Sequence, residues 1–133
     1  MTENNQQTDH VDAQLARHGG LTYLEIPAVD VNASATFYHA ILNWQCREDG
    51  TDRSKFADPT GHLIGRWVTG RAIARQPGLL PFIYVDHIDE AVKRVTTHGG
   101  EVVKAPYREG TLHVAVIRDP AGNILGLWQE GNR

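Results

Sequence analysis

Hydrophobic positions along this chain change their period twice, in the same order each time. Residues 21–27 show the alternation of a half-buried strand. From Val31 the apolar positions shift to helical spacing, with Val31, Ala35, Tyr38 and Leu42 on one face. The passage recurs at residues 79–85, followed by Ile88, Ala91, Val92 and Val95. Asp30 is placed to cap the first helix and Asp86 or His87 the second, while His98-Gly99-Gly100 supplies the glycine that ends it. Three short strands are expected after each helix: 45–48, 54–57 and 63–68 in the first half, then 101–105, 112–118 and 124–129 in the second.

The last two strands of each half are joined by matching turns. Asp58-Pro59-Thr60-Gly61 and Asp119-Pro120-Ala121-Gly122 place proline and glycine where a tight turn needs them. The match runs on at constant spacing through Gly65 and Trp67 to Gly126 and Trp128. Such a repeat decides the fold class. The expected architecture is α+β: a βαβββ unit used twice in tandem. Residues 1–17 are mostly polar and read as a mobile arm, and 18–133 as one domain. Within it, 18–70 forms the first module, 71–78 a breaker-rich linker and 79–130 the second module.

Composition narrows the function classes. The chain has 133 residues, 41% hydrophobic and 22% charged, which is ordinary globular usage. A net charge of −3 argues against a general nucleic-acid binder. No apolar run is long enough to span a membrane, and no secretory segment is expected at the N-terminus. The single cysteine, Cys46, cannot form an internal disulfide and fits a reducing cytoplasm.

The motifs resemble those of the vicinal oxygen chelate superfamily, the glyoxalase/bleomycin resistance protein/dioxygenase group. The residues that carry the resemblance are Glu25-Ile26-Pro27, Phe37-Tyr38, Asn43-Trp44, Asp58-Pro59-Thr60-Gly61, Val85, Ile88-Asp89, Gly99-Gly100 and Asp119 through Trp128. It covers roughly residues 18–130 and implies that the two tandem βαβββ modules form a curved mixed sheet around a cleft, helices on the outside, with a homodimer as the usual assembly. It also implies four positions for metal ligands, one on the first and one on the last strand of each half. Here these are Tyr23, Leu80, Gly65 and Gly126. None of them suits a first-row divalent ion, so no metal and no cofactor is expected.

Alternation along the strands gives the expected lining: Tyr23 and Glu25 on the first strand; Leu80, Phe82 and Tyr84 on its counterpart; Gly65 and Trp67, and Gly126 and Trp128, on the last strands. This is an aromatic cleft whose glycines would let a flat ligand approach the backbone. Glu25, between Leu24 and Ile26, is costly to bury unpaired. It is either partnered by an arginine or available for proton transfer. His113, grouped by alternation with Ala115 and Ile117, is either a core histidine or a general acid or base opposite Glu25. Three functions follow. One is a metal-free protein binding an aromatic or amphipathic small molecule, in the manner of a bleomycin-resistance protein. The second is a metal-independent isomerase, cyclase or lyase using Glu25 and His113. The third, least supported, is a metalloenzyme with displaced ligands.

Overall fold

Asp30 begins the first helix as its position suggests. Its backbone is extended, and its carboxylate accepts hydrogen bonds from the amides of Asn32 and Ala33. The computed structural model describes residues 12–47 and 52–133. Residues 1–11 of the expected arm and Glu48 of the expected second strand lie outside them. Strand β1 (Tyr23–Pro27) leads to helix α1 (Val31–Leu42), then β2 (Gln45–Cys46), β3 (Lys55–Ala57) and β4 (Ile64–Val68). The second half runs β5 (Phe82–Tyr84), α2 (Ile88–Thr97), β6 (Glu101–Glu109), β7 (Leu112–Arg118) and β8 (Ile124–Glu130).

These strands make two open four-stranded mixed sheets, ordered β1-β4-β3-β2 and β5-β8-β7-β6. In each sheet the first strand runs parallel to the last, and the other pairings are antiparallel. The architecture is α+β with two βαβββ units. Two strands, β5 and β6, depart furthest from their expected lengths. β5 begins only at Phe82, because Pro81 accepts from the Gly126 amide but has no N–H of its own to extend the ladder. β6 runs on through Pro106 to Glu109, because it is an edge strand whose register shifts twice between Val102 and Tyr107.

The matching turns do not close alike. In the second unit the Asp119 amide bonds to the Asn123 carbonyl, and Arg118 pairs with Ile124. In the first, the Asp58 amide bonds to the Leu63 carbonyl, one residue further along, and Ala57 pairs with Ile64. Since side chains alternate across a strand, one extra residue in a turn moves the following strand's whole set to the other face. Trp67 and Trp128 occupy the same place in the repeated motif and face opposite ways.

One continuous core lies on the helix-covered side of both sheets. It joins Ile26, Phe37, Tyr38, Phe56 and Trp67 from the first unit to Ile88, Val95, Ile117 and Leu127 from the second. The helices pack against each other, and polar bonds tie the units together. The buried Tyr38 hydroxyl on α1 donates to Asp119 Oδ2 across 2.8 Å. Asn123 Nδ2 donates to the Pro27 carbonyl of β1 and to the same Asp119 oxygen. Asp119 Oδ1 accepts the amides of Ala121, Gly122 and Asn123, so the second turn is braced from within and held against the first unit. Burial, followed by the adjacent Asp119 carboxylate, raises the Tyr38 hydroxyl well above its ordinary pKa.

The second helix is capped from a distance. His87 makes no side-chain cap; the buried Gln129 on β8 accepts from the Ile88 amide at 2.8 Å instead. No helix among the described residues is long and apolar enough to cross a membrane.

Candidate functional site

Each sheet leaves one face uncovered by the helices, and the two faces differ in chemistry. On the first sheet, Tyr23 pairs with Ile64 and Glu25 with Arg66, while Arg66 also pairs with Lys55. Tyr23 is 45% exposed. Glu25 accepts a hydrogen bond from Arg71 at 2.7 Å, both side chains being partly exposed. Of the two roles open to Glu25 in the sequence, the arginine pairing is the one the structure displays. This face is mixed and charged.

On the second sheet, Phe82 pairs with Gly126, Tyr84 with Trp128, and Trp128 with Val114. The Tyr84 and Trp128 rings meet edge to face at 4.7 Å. Phe82 and Tyr84 are 48% and 46% exposed, an unusual state for adjacent aromatics unless something else covers them. Together with Leu112, Val114 and Glu109, Phe82 and Trp128 line a shallow cavity of about 280 Å³. Its floor is Val114, almost fully buried although it lies outside the helix-side core.

Several expected lining residues are elsewhere. Trp67 is in the core, 4.7 Å from the Phe56 ring and 5.6 Å from Tyr38, because of the longer first turn. Gly65 lies beside it: a Cβ there would fall on the Leu24 carbonyl oxygen and the edge of Phe56. The expectation that a ligand rests on the glycines is corrected at both sites. At Gly126 the space is filled by the protein's own Phe82 ring. Leu80 precedes β5 and is half-buried. His113 shares the side of Ala115 and Ile117, both fully buried in the core. Its Nδ1 is buried and unpartnered, and the ring lies on the opposite face of β7 from the aromatic cavity. Glu25 and His113 therefore sit on different sheets, one on an open face and one on a covered face, and are not brought together for proton transfer.

Metal chemistry finds no donor set at the expected places. Tyr23 reaches the open face, but its β4 neighbours there are Ile64 and Arg66, neither of which ligates. In the second unit the corresponding positions are Leu80, which precedes β5, and Gly126, which lies under the ring of Phe82. Among the described residues no three His, Cys, Asp or Glu converge as a metal site. No reaction step is assigned to a metal.

Sequence reasoning missed Leu112, Val114 and Glu109. The signal was the small side chain of Ala115, which suits a face lying under a helix and puts its neighbours Val114 and Val116 on the other side. A family model described as the Glyoxalase/Bleomycin resistance protein/Dioxygenase superfamily matches residues 20–127. The chain belongs to that superfamily. Within it, the chain is 28% identical over 123 residues to the "Putative glyoxylase CFP32" of Mycobacterium tuberculosis (strain CDC 1551 / Oshkosh), covering 85% of this chain and 46% of that protein. It is also 28% identical over 137 residues to the "Anthracycline biosynthesis protein DnrV" of Streptomyces peucetius, covering 85% and 48% respectively. The chain thus spans about half the length of these relatives. Among solved structures of the same fold is TnmS3, described as an antibiotic binding protein from Streptomyces sp. CB03234. It has a TM-score of 0.63 at 20% identity over 88% of this chain and 99% of that one.

Proposed function

We propose that this superfamily member is a small-molecule binding protein whose ligand is aromatic or amphipathic, bound without a metal on the open face of the second sheet. The observation that carries the reading is the group of Phe82, Tyr84 and Trp128, three aromatic side chains left outside the core beside a cavity with a Val114 floor. Exposing such a surface to water costs free energy, which is recovered when a flat ring excludes that water. The names of two relatives in the fold, an anthracycline biosynthesis protein and an antibiotic binding protein, support the same ligand class. A homodimer belongs to this reading, since a second copy would cover edges that each sheet leaves open; sedimentation equilibrium tests it.

Tryptophan fluorescence tests the binding directly. Trp44 and Trp67 are buried, so Trp128 is the indole a ligand on this face would quench. Titration with an anthracycline should give saturable quenching that Trp128→Phe largely removes. Absence of saturable quenching across planar aromatics of graded size, or undiminished quenching in the variant, would overturn the proposal.

A further inference from the structure

The aromatic cavity is bordered by charge of one sign. Glu109, Leu112 and Glu130 form a single cross-strand row: Leu112 pairs with Glu109 on β6 and with Glu130 on β8. Paired residues project to the same side of a sheet, and Leu112 and Glu109 both line the cavity. Glu130, two residues beyond Trp128, shares that side by alternation. Two strand spacings put the glutamate Cα atoms roughly 10 Å apart. Two side chains of that length can close on one cation lying over Leu112.

The acids Glu25, Glu101 and Asp89 each have an arginine partner, whereas among the described residues no hydrogen bond or ion pair reaches the side chain of Glu109 or Glu130. The neighbouring cations are engaged elsewhere. The Lys104 ammonium rests 4.1 Å above the Tyr107 ring, Arg108 donates to the Gly110 carbonyl, and Arg133 is held by Asp89 and the Pro106 carbonyl. The electron-rich faces of Trp128 and Tyr84 favour a cation for an independent reason. An anionic ligand would meet repulsion from both carboxylates on entering the same cavity.

We propose that the second sheet's open face selects an organic cation: an aromatic ring seated against Phe82, Val114 and Trp128, with a protonated amine or guanidinium held by Glu109 and Glu130. This rests on the reading of that face as the ligand site and adds its charge selectivity. The test uses three probes that share one ring: 1-naphthylmethylamine, 1-naphthalenemethanol and 1-naphthoic acid. Their affinities are measured by isothermal titration calorimetry at neutral pH. The amine should bind about tenfold more tightly than the alcohol, and the acid more weakly than either. Raising the salt concentration should erode the amine's advantage. In the double variant Glu109→Gln, Glu130→Gln the ratio of amine to alcohol affinity should fall to near one, with the thermal unfolding midpoint checking that the fold is retained. Equal affinity of amine and alcohol for the unaltered protein, with binding of both lost in Trp128→Ala, would overturn the cation selectivity and leave the aromatic site standing. Failure of all three probes to bind would overturn both.

Discussion

The two βαβββ units use aromatic residues in opposite ways. The first unit turns Phe37, Tyr38, Trp44, Phe56 and Trp67 inward, where the rings of neighbouring members lie 4.7 to 5.6 Å apart. The second builds its inner side from aliphatic residues such as Val95, Ile117, Leu125 and Leu127, and leaves Phe82, Tyr84 and Trp128 outside. One residue in a turn sets Trp67 and Trp128 on opposite sides, because Asp58 closes on Leu63 where Asp119 closes on Asn123. A repeated motif therefore transmits its turn and its strand but not the direction of its side chains. One unit buries its aromatic rings in the core, and the other leaves them on an open face.

The tryptophans at equivalent motif positions give the largest contrast. Trp67→Ala empties a site packed between Tyr38 and Phe56 and should cost about 3–5 kcal/mol, read from denaturant midpoints. Trp128→Ala removes a partly buried ring on the open face and should cost about 1–2 kcal/mol of stability, well below Trp67→Ala, while abolishing ligand binding. Equal destabilisation by the two would show that Trp128 belongs to the core and would remove the contrast.

The equivalent glycines sharpen it. A Cβ at Gly65 would lie 1.9 Å from the Leu24 carbonyl oxygen, a backbone atom fixed in the parallel ladder, so Gly65→Ala should cost on the order of 3 kcal/mol. At Gly126 the obstacle is the Phe82 ring, which is half-exposed and can swing outward. Gly126→Ala should therefore cost about 1 kcal/mol in stability, and change ligand affinity because Phe82 moves. A Gly126→Ala protein with unaltered binding would argue that the position of Phe82 does not matter to the ligand.

How much of this was written in the sequence depends on the distance over which each feature is decided. The order of elements and the Asp30 cap follow from local spacing and were legible. So was the reading of the two Asp-Pro-x-Gly segments as turns. The direction of Trp67 was not, because it depends on where a hairpin closes, and residues 58–63 look like residues 119–124 until the bond from Asp58 to Leu63 is seen. His113 misled for a related reason: alternation grouped it correctly with Ala115 and Ile117 but could not say which side α2 would cover. Gln129 as the cap of α2 lies 41 residues from the amide it accepts, beyond any local pattern. Among the candidate site residues, Trp128 joins Phe82 and Tyr84 on the open face because the second hairpin has the shorter closure.

The bond that joins the two units gives a smaller effect of about 1–2 kcal/mol. Tyr38→Phe removes the hydroxyl that reaches Asp119 from the first unit's core, while the carboxylate keeps Asn123 and three backbone amides. The loss should appear in the unfolding midpoint at neutral pH, with ligand binding retained because the aromatic face is not part of this contact.

The smallest effect is the pH dependence of that same bond. Burial and the neighbouring Asp119 carboxylate raise the Tyr38 pKa in the folded protein above its ordinary value of 10.0. The folded state then holds the proton more tightly than the unfolded one, so Tyr38's contribution is complete below about pH 10 and declines as the pH rises past it. The unaltered protein should lose up to about 1.4 kcal/mol per pH unit in that range from this one group. Tyr38→Phe, although less stable at neutral pH, should lose correspondingly less on the alkaline side. The remaining tyrosines are common to both proteins and cancel in the difference between their unfolding curves. Curves that stay parallel from neutral pH to pH 11 would show that the Tyr38 hydroxyl is not held neutral between the two units, and that the aromatic core of the first unit does not depend on its contact with the second unit's turn.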